Sequence, residues 1–296
     1  MDNEKYENLH ETKEHTPAGF PYNTYLCSIP KDFGSVKLHW HNEIEIIVIK
    51  KGCGIVSVDL VRYDVKAGDT VFVFSGQLHS IEQKDDFSME YENIIFKADL
   101  LKSSGTDIYS DNFLRPFLDG EIKINPLVCS EEINSIISEV DELCDKRPYG
   151  YRLAVKGNLF RVMFHLVKKY STDDFKPAAP KTLEKMKTVI TYIEENYQDR
   201  ITIDEIAAKV YYSKSYFMKF FKNATGKAFI EYINDFRLTK AAAALQSSDN
   251  NIIDIASSIG FDNLSYFNRS FKRKFGVAPG EYRKNFGFTS KAAEKA

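Results

Sequence analysis

The second half of the chain contains one apolar pattern twice. The first copy runs from Ile206 to Tyr232, and the second runs from Ile255 to Tyr282. Both copies contain Ile-Ala, Tyr-Phe, Phe, Gly and Tyr in the same order, and the second copy is longer by one residue near its middle. An internal repeat of this kind predicts two copies of one small folded unit.

The spacing inside each copy predicts two helices separated by a turn. In the second copy, Gly260 can adopt the positive φ that ends a helix, and Asp262 is expected to cap the next helix. Ser213 is the corresponding cap in the first copy. The pattern therefore predicts a duplicated helix-turn-helix, whose second helices cover residues 213–223 and 262–274.

Both of these second helices are predicted to be amphipathic. Aromatic residues at three- and four-residue spacing should face the core, namely Phe217, Phe220, Phe221, Tyr266, Phe267, Phe271 and Phe275. The opposite faces consist of Lys214, Ser215, Met218, Lys219, Lys222, Asn263, Leu264, Ser265, Asn268, Arg269 and Lys272. A solvated surface would explain one such face, but two faces in register favour helices that enter the major groove of DNA.

A longer pattern in the same region resembles the signature of a known family. Its residues are Arg237-Leu238, Ala241, Leu245, Ile252, Ile255-Ala256, Gly260-Phe261, Tyr266-Phe267, Phe271-Lys272, Phe275-Gly276, Ala278-Pro279 and Tyr282-Arg283. Over about residues 182–285 the chain resembles AraC/XylS-type transcription regulators. Phe229 departs from the family pattern, in which many members have proline, as the second copy has at Pro279.

The resemblance implies a seven-helix DNA-binding domain in which a long helix, over about 228–246, holds two recognition helices side by side. These helices would reach successive major grooves about 34 Å apart. The base-reading residues would be Ser215, Met218, Lys219, Asn263, Leu264, Ser265, Asn268 and Arg269. We expect Lys214, Lys222 and Lys272 to contact phosphates. The partners would be a double-stranded DNA operator and RNA polymerase.

The charge distribution agrees with a regulator built of two domains. Residues 182–296 contain 18 basic and 13 acidic residues, a net charge of +5, whereas residues 1–181 contain 22 and 29, a net charge of −7. The chain as a whole has a net charge of −2. A basic DNA reader joined to an acidic module that does not touch DNA would give this asymmetry.

The sequence predicts five segments: a polar arm at 1–20, a sensing barrel at 21–120, a helical dimerisation segment at 121–171, a linker at 172–181 and the DNA-binding domain at 182–290. The linker is polar and contains Pro177 and Pro180. The chain has no run of eighteen apolar residues, its N-terminus is too polar for a signal peptide, and its four cysteines lack CxxC spacing. We therefore expect a cytoplasmic protein without a membrane segment.

The first half has the short apolar runs of β-strands. Examples cover residues 45–49, 54–58 and 70–74, and Gly52, Gly54, Gly68 and Gly76 lie between or beside them. This pattern predicts an antiparallel barrel or jelly roll. The expected fold is thus multidomain, with an all-β cupin-like barrel followed by two helices, and an all-α domain with two helix-turn-helix motifs.

Within the predicted barrel, His39, His41, Glu45 and His79 resemble the residues of the two cupin motifs. In enzymatic cupins these positions hold a metal, and imidazole with carboxylate suits iron, manganese or zinc. Three roles stay open: a metal-free pocket for a small polar effector, a metal site with these four ligands, and a packing role. The first is the leading expectation, with a sugar as effector and no cofactor. Phe74 and Gln83 depart from the second motif.

Two amphipathic helices are predicted between barrel and linker. The first covers 130–144, with Ile133, Ile136, Ile137, Val140 and Leu143, and the second covers 151–170, with Leu153, Val155, Leu159, Val162, Met163, Leu166 and Val167. The resemblance implies a homodimer contact through the first. The predicted function is transcription regulation rather than catalysis. Alternatives are a regulator whose barrel only dimerises, and a metal-dependent cupin enzyme fused to a DNA-binding domain.

Overall fold

The computed structural model describes residues 16, 19–32, 34–102, 114–118, 123–171 and 179–286. It divides between Leu183 and Glu184 into two compact units, the first rich in strands and the second helical. Most of the arm over 1–20 and most of the linker over 172–181 lie outside the described residues. The last two linker residues are helical, because Pro180 occupies the first position of a helix, where proline is well tolerated.

The described part of the N-terminal unit contains eight strands in two antiparallel sheets. They are β1 (Tyr22–Ile29), β2 (Ser35–His39), β3 (Glu43–Val58), β4 (Val61–Lys66), β5 (Thr70–Val73), β6 (His79–Gln83), β7 (Met89–Lys97) and β8 (Leu127–Val128). The first sheet has the order β1-β7-β3-β5-β8. In the second sheet β6 pairs with both β2 and β3, and β3 also pairs with β4.

The long strand β3 corrects the expectation of separate strands at 45–49 and 54–58. Its first half pairs with β5 and β7, and its second half pairs with β4 and β6. The two halves meet near Gly52, where φ is +74° and a Cβ atom would lie 1.9 Å from the carbonyl oxygen of Ser88. Glycine therefore lets one strand pass from one sheet to the other, where the sequence pattern suggested a break.

Helices cover one face of the first sheet. They are a short α1 (Arg115–Leu118), α2 (Glu131–Lys146) and α3 (Tyr151–Tyr170), and the last two agree closely with the predicted helices. Their buried residues and those of the strands form one core, which includes Ile44, Ile46, Val48, Phe72, Ile94, Phe96, Phe117, Ile133, Ile136, Ile137, Val140, Val155, Leu159, Val162, Met163 and Leu166. Leu153 was expected in this stripe but is 77% exposed.

The described part of the C-terminal unit consists of seven helices. They are α4 (Pro180–Asn196), α5 (Ile203–Lys209), α6 (Lys214–Thr225), α7 (Phe229–Ser247), α8 (Ile252–Ser258), α9 (Leu264–Phe275) and α10 (Pro279–Phe286). The pairs α5–α6 and α8–α9 are two helix-turn-helix units, joined by the long helix α7. Buried residues of α7, such as Leu238 and Leu245, share a core with Phe267 and Phe271 of α9.

Local caps determine where the second helix of each unit begins. Ser213 caps α6, because its side chain accepts a hydrogen bond from the main-chain N–H of Tyr216. The expected cap Asp262 is wrong for α9, since Asn263 accepts the hydrogen bond from the N–H of Tyr266 at 2.9 Å. Asp262 is instead the extra residue of the second copy, and it lengthens the turn before the cap.

No helix in the described parts of the chain is both long and apolar enough to cross a membrane.

Candidate DNA interface and effector site

Helix α6 exposes the residues that the sequence assigned to DNA. Phe217 and Phe221 are buried, and Phe220 is half-buried, so the aromatic residues hold the helix against the core. The exposed positions are Lys214, Ser215, Met218, Lys219 and Lys222. Lys214 already has a partner, because its Nζ lies 2.7 Å from a carboxylate oxygen of Asp204 on α5. Both side chains are solvated, so this ion pair is weak and can exchange for a phosphate.

Helix α9 has a matching exposed face. Phe267 and Phe271 are buried, and the exposed residues are Asn263, Ser265, Tyr266, Asn268, Arg269, Lys272 and Arg273. Leu264 is half-buried and packs against the core. Asn263 differs from the other predicted base readers, since its amide oxygen already caps the helix.

Tyr266 was expected in the core, but it is 40% exposed. Its hydroxyl accepts a hydrogen bond from Asn234 Nδ2 of α7 at 3.1 Å. Tyr216, at the corresponding position of α6, is 56% exposed. Tyr216 lies three residues before Lys219, and Tyr266 lies three residues before Arg269. Residues three apart are neighbours on a helix surface, so this spacing indicates that both tyrosines lie beside the polar face. The repeated Tyr-Phe pair concealed this, because only its phenylalanine is buried.

A cleft of about 500 Å³ borders α9. It is lined by Ile252, Ile253, Leu264, Asn268, Arg269, Lys272, Ala278, Pro279 and Gly280. Arg269 and Lys272 border this mostly apolar cleft, and both side chains are exposed to solvent.

In the N-terminal unit, His39, His41, Glu45 and His79 come together. His39 ends β2 and is paired in register with His79, the first residue of β6, while Glu45 lies in β3 and His41 precedes that strand. All four side chains are buried. Their ligand atoms lie within 4.8 Å of one another. The fold thus brings together every residue that the sequence assigned to this site.

Main-chain carbonyls orient all three imidazole rings. The Nδ1 atoms of His39, His41 and His79 lie 2.8, 3.2 and 3.0 Å from the carbonyl oxygens of residues 37, 43 and 77 respectively. A carbonyl oxygen can only accept, so each Nδ1 carries a proton and donates it. In a neutral ring the lone pair is then on Nε2.

Two of those Nε2 atoms approach one carboxylate oxygen. Glu45 Oε2 lies 3.2 Å from His41 Nε2 and 2.8 Å from His79 Nε2. Burial acts to raise the pKa of Glu45, but the hydrogen bonds and charges of His41 and His79 outweigh it and hold the pKa well below its usual value. Burial, with the nearby charges of His79 and His41, holds the pKa of His39 well below its usual value.

This donor set fits a transition metal. Three imidazole nitrogens and one carboxylate are ligands for iron, manganese or zinc, and a main-chain carbonyl on Nδ1 is the common outer partner of a metal-bound histidine. Four donors within 4.8 Å of one another leave room for an ion between them, but too little for a sugar.

Sequence reasoning missed two polar residues of β7 that share a sheet face with Glu45. Glu45, Ile47 and Ile49 of β3 lie opposite Ile95, Asn93 and Tyr91 of β7. Directly paired residues point to the same face, so Tyr91 and Asn93 extend the cluster surface. Asn93 is buried, and its Oδ1 has no hydrogen-bond partner among the described residues. The sequence signal for these residues is their spacing of two within 89–97, because alternate residues of a strand point to the same face.

The helices of the N-terminal unit differ in what they leave exposed. Ile133, Ile136, Ile137 and Val140 of α2 belong to the core, so the apolar stripe expected to form a dimer contact is already covered. Helix α3 instead exposes Leu153 at 77%, Phe160 at 40% and Phe164 at 60%. With Gly157, these residues follow a spacing of four, three and four, which places them on one side of the helix.

Two family models match the chain in these regions. A "Helix-turn-helix domain" matches residues 206–285, and an "AraC-like ligand binding domain" matches residues 32–137. The transposon Tn10 TetD protein of Escherichia coli is 40% identical over 34% of this chain and 72% of its own length. The chain belongs to the AraC family of helix-turn-helix transcriptional regulators.

Other relatives resemble this AraC-family protein over most of its length. The uncharacterized HTH-type transcriptional regulator YdeC of Bacillus subtilis is 25% identical over 94% of this chain and 97% of its own. The HTH-type transcriptional activator RhaS of Mannheimia succiniciproducens is 26% identical over 83% and 88%. This AraC-family regulator therefore binds DNA through its helical unit, carries a ligand-binding domain and is not an enzyme.

Proposed function

We propose that this regulator reads two successive major grooves, with α6 in one and α9 in the other. The observation that carries the proposal is the repetition itself: both helices keep the same buried aromatic positions and both expose a polar face. Base edges would be read by Ser215, Met218, Lys219, Asn263, Leu264, Ser265, Asn268 and Arg269. Lys214, Lys222 and Lys272 would contact phosphates, which position the protein without reading sequence.

The proposed partners are a double-stranded operator, RNA polymerase and a second copy of the chain. A dimer would bring four recognition helices to two half-sites and raise affinity without new base contacts. For the dimer contact we favour α3 over α2, because Leu153, Phe160 and Phe164 are exposed on it. The proposed location is the cytoplasm, together with the proposed operator and RNA polymerase.

The proposed effector site is the surface around Glu45. His39, His41 and His79 surround the carboxylate, and Tyr91 and Asn93 extend the same sheet face. These groups supply directed polar contacts of the kind that hold a small hydroxylated ligand. A sugar thus stays the prediction for an organic effector, and it would bind beside the cluster rather than between its donors.

A divalent metal ion is the second effector candidate, and the orientation of the rings favours it. When the rings are neutral and donate from Nδ1, their Nε2 lone pairs face an anionic oxygen, which is a contact between acceptors. The hydrogen bonds and charges that lower the pKa of Glu45 need a second proton on these rings. A proton or a metal ion among these atoms would turn that repulsion into attraction. His39, His41, Glu45 and His79 would be the ligands, and the bound ion would supply a Lewis-acidic centre for oxygen donors.

Either effector would act by stabilising one arrangement of the DNA-binding domains of the dimer over another. The effector can shift this equilibrium only by the difference in its affinity for the two arrangements. Operator occupancy and contact with RNA polymerase would follow from that shift.

Thermal unfolding of the full chain tests the effector site. A ligand that binds only the folded state raises the melting temperature, so chelator-treated protein is screened against sugars, sugar acids, Zn²⁺, Mn²⁺ and Fe²⁺. We expect a shift that is lost in Glu45→Gln and His79→Ala. The control His165→Ala changes a half-buried histidine of α3 outside the cluster and should keep the shift. A shift that survives in Glu45→Gln would remove the cluster from the effector site.

A further inference from the structure

The guanidinium of Arg237 lies between the two helix-turn-helix units. Arg237 is near the middle of α7, and its Nε and Nη2 atoms donate hydrogen bonds to the carbonyl oxygens of Tyr197 and Asp199, both at 2.7 Å. Tyr197 and Asp199 lie between α4 and α5, directly before the first unit. One planar side chain thus holds two carbonyls of the segment that leads into that unit.

On its other side, Arg237 meets the turn of the second unit. Gly260, between α8 and α9, has φ of +85°, and a Cβ atom there would lie 2.9 Å from Arg237 Cζ. The same Cβ would lie 2.6 Å from the carbonyl oxygen of Gln198. No space for a methyl group therefore remains at Gly260, where the guanidinium packs between the turn of the second unit and the segment before the first unit.

The extra residue of the second copy also acts on this contact. Burial lowers the pKa of the Arg237 guanidinium, and the carboxylates of Asp262 and Asp199 oppose that effect. Asp262 has no counterpart in the first copy, where the turn passes directly from Tyr212 to the cap Ser213. The one-residue difference between the copies thus adds a negative charge near Arg237.

A second contact between α7 and α9 lies one turn away. Asn234, three residues before Arg237, donates its hydrogen bond to the Tyr266 hydroxyl near the start of α9. Arg237 is therefore one side chain of α7 that contacts both the segment before the first unit and the turn of the second unit, while Asn234 also holds α9 to the same helix.

We propose that Arg237 is a positioning residue that fixes the distance between α6 and α9, and thereby sets the operator spacing that the protein accepts. Successive major grooves lie about 34 Å apart, so a rigid pair of helices matches only one spacing. A rigid connection also makes binding of the second helix intramolecular, and a looser one lowers its effective concentration. This inference rests on the proposed function, in which both helices contact DNA.

The test measures affinity of the full chain for DNA sites selected from a random library by the wild-type protein. Three duplexes are compared: the selected site, the same site with two base pairs inserted between its halves, and a site with one half scrambled. We expect the wild type to lose about tenfold or more in affinity on insertion. For Arg237→Lys, which keeps the charge but lacks the planar fork, we expect weaker binding to the selected site and a penalty for insertion of about threefold or less.

Two further variants separate positioning from folding. Arg283 of α10 also donates to a carbonyl oxygen, that of Asn250 at 2.6 Å, but this contact joins α10 to the segment before α8 and does not involve the first unit. Arg283→Lys should therefore keep the wild-type penalty for insertion. Asp262→Asn, which removes only a charge, should reduce the penalty less than Arg237→Lys and keeps the test available if the latter does not fold.

Each outcome decides between the two proposals. An unchanged insertion penalty in Arg237→Lys, or equal losses on full, inserted and scrambled sites, would overturn the positioning role. If the wild type binds the scrambled site as well as the full site, one unit suffices for binding. In that case the proposal that fails is the reading of two grooves.

Discussion

Nε2 of His79 lies 2.8 Å from Oε2 of Glu45, although Nδ1 of the same ring already donates to a carbonyl oxygen. His41 repeats the relationship at 3.2 Å. The carbonyl contacts at Nδ1 therefore orient both rings so that Nε2 is the atom that faces the carboxylate. The shared orientation of these two rings is the observation on which the second effector candidate, a divalent metal ion, rests.

Metal content is the first expected consequence. Purified protein equilibrated with Zn²⁺ or Mn²⁺ and then desalted should retain about one ion per chain, measured by plasma mass spectrometry. Glu45→Gln removes the anionic ligand and His41→Ala removes one imidazole, so both should lose the ion. His165→Ala should retain it. Equal metal in Glu45→Gln and wild type would exclude these four residues as the ligands.

The contribution of His39 to the stability of the metal-free protein should decrease as the pH falls below about 6.5, the usual pKa of histidine. His39 has a lowered pKa in the folded state, so in that range the unfolded chain binds more protons than the folded chain. The contribution is fully present above pH 6.5 and is lost progressively toward the lower folded-state pKa. Urea unfolding in chelator from pH 7.5 to 5 measures it. His39→Asn should show a shallower pH dependence, and an identical slope would contradict the assignment.

Gly260→Ala should destabilise the C-terminal unit by about 2–4 kcal/mol, because positive φ and overpacking both oppose the new methyl group. Gly276→Ala is the matched control. Gly276 has a similar φ of +79° but nothing within 4 Å of an added Cβ, so only the backbone strain of about 1 kcal/mol remains. Chemical denaturation gives both values. Equal losses would mean that the contact with Arg237 and Gln198 contributes nothing.

Arg269→Ala and Lys272→Ala should affect DNA binding in different ways. Arginine can pair with a base edge, so Arg269→Ala should cost about 1–3 kcal/mol on the selected site and relax specificity at one base step. Lys272→Ala should weaken binding to all sequences alike and lower the salt slope by about one. Fluorescence anisotropy on selected and random DNA separates them. Equal losses from Arg269→Ala on both DNAs would remove it from the base-reading residues.

Phe164→Asp should convert a dimer into a monomer, because it places a charge on the exposed apolar side of α3. Phe87→Asp is the control, since Phe87 is 58% exposed in the turn before β7, outside α3. Sedimentation velocity measures the mass of each variant. A wild type that is monomeric at high concentration, or a Phe164→Asp variant that remains dimeric, would argue against the α3 interface.

Much of this fold follows from local sequence patterns. The helices α3, α6 and α7 lie within two residues of their predicted bounds. Apolar spacing predicted α3 and α6, the cap Ser213 marks the start of α6, and the family resemblance implied α7. The four-residue cluster was also identified before the fold, because His39, His41, Glu45 and His79 resemble the residues of the two cupin motifs. Periodicity and family resemblance together supplied these results without tertiary information.

Other features depend on contacts that spacing does not encode. The single strand β3 needs the carbonyl of Ser88 beside Gly52, and the cap at Asn263 depends on one extra residue in a turn. Arg237 stood in the family pattern, but its role needs two segments that are far apart in sequence. The covered face of α2 likewise became visible only when its core partners were known.

We predict that DNA sequences selected in vitro by the full-length wild-type chain contain two short motifs, each matched to one recognition helix. The centres of the two motifs should be about one helical turn apart. Arg269→Ala should relax one motif and Lys219→Ala the other. Selection of a single short motif, or loss of the same motif in both variants, would contradict the reading of two grooves by one chain.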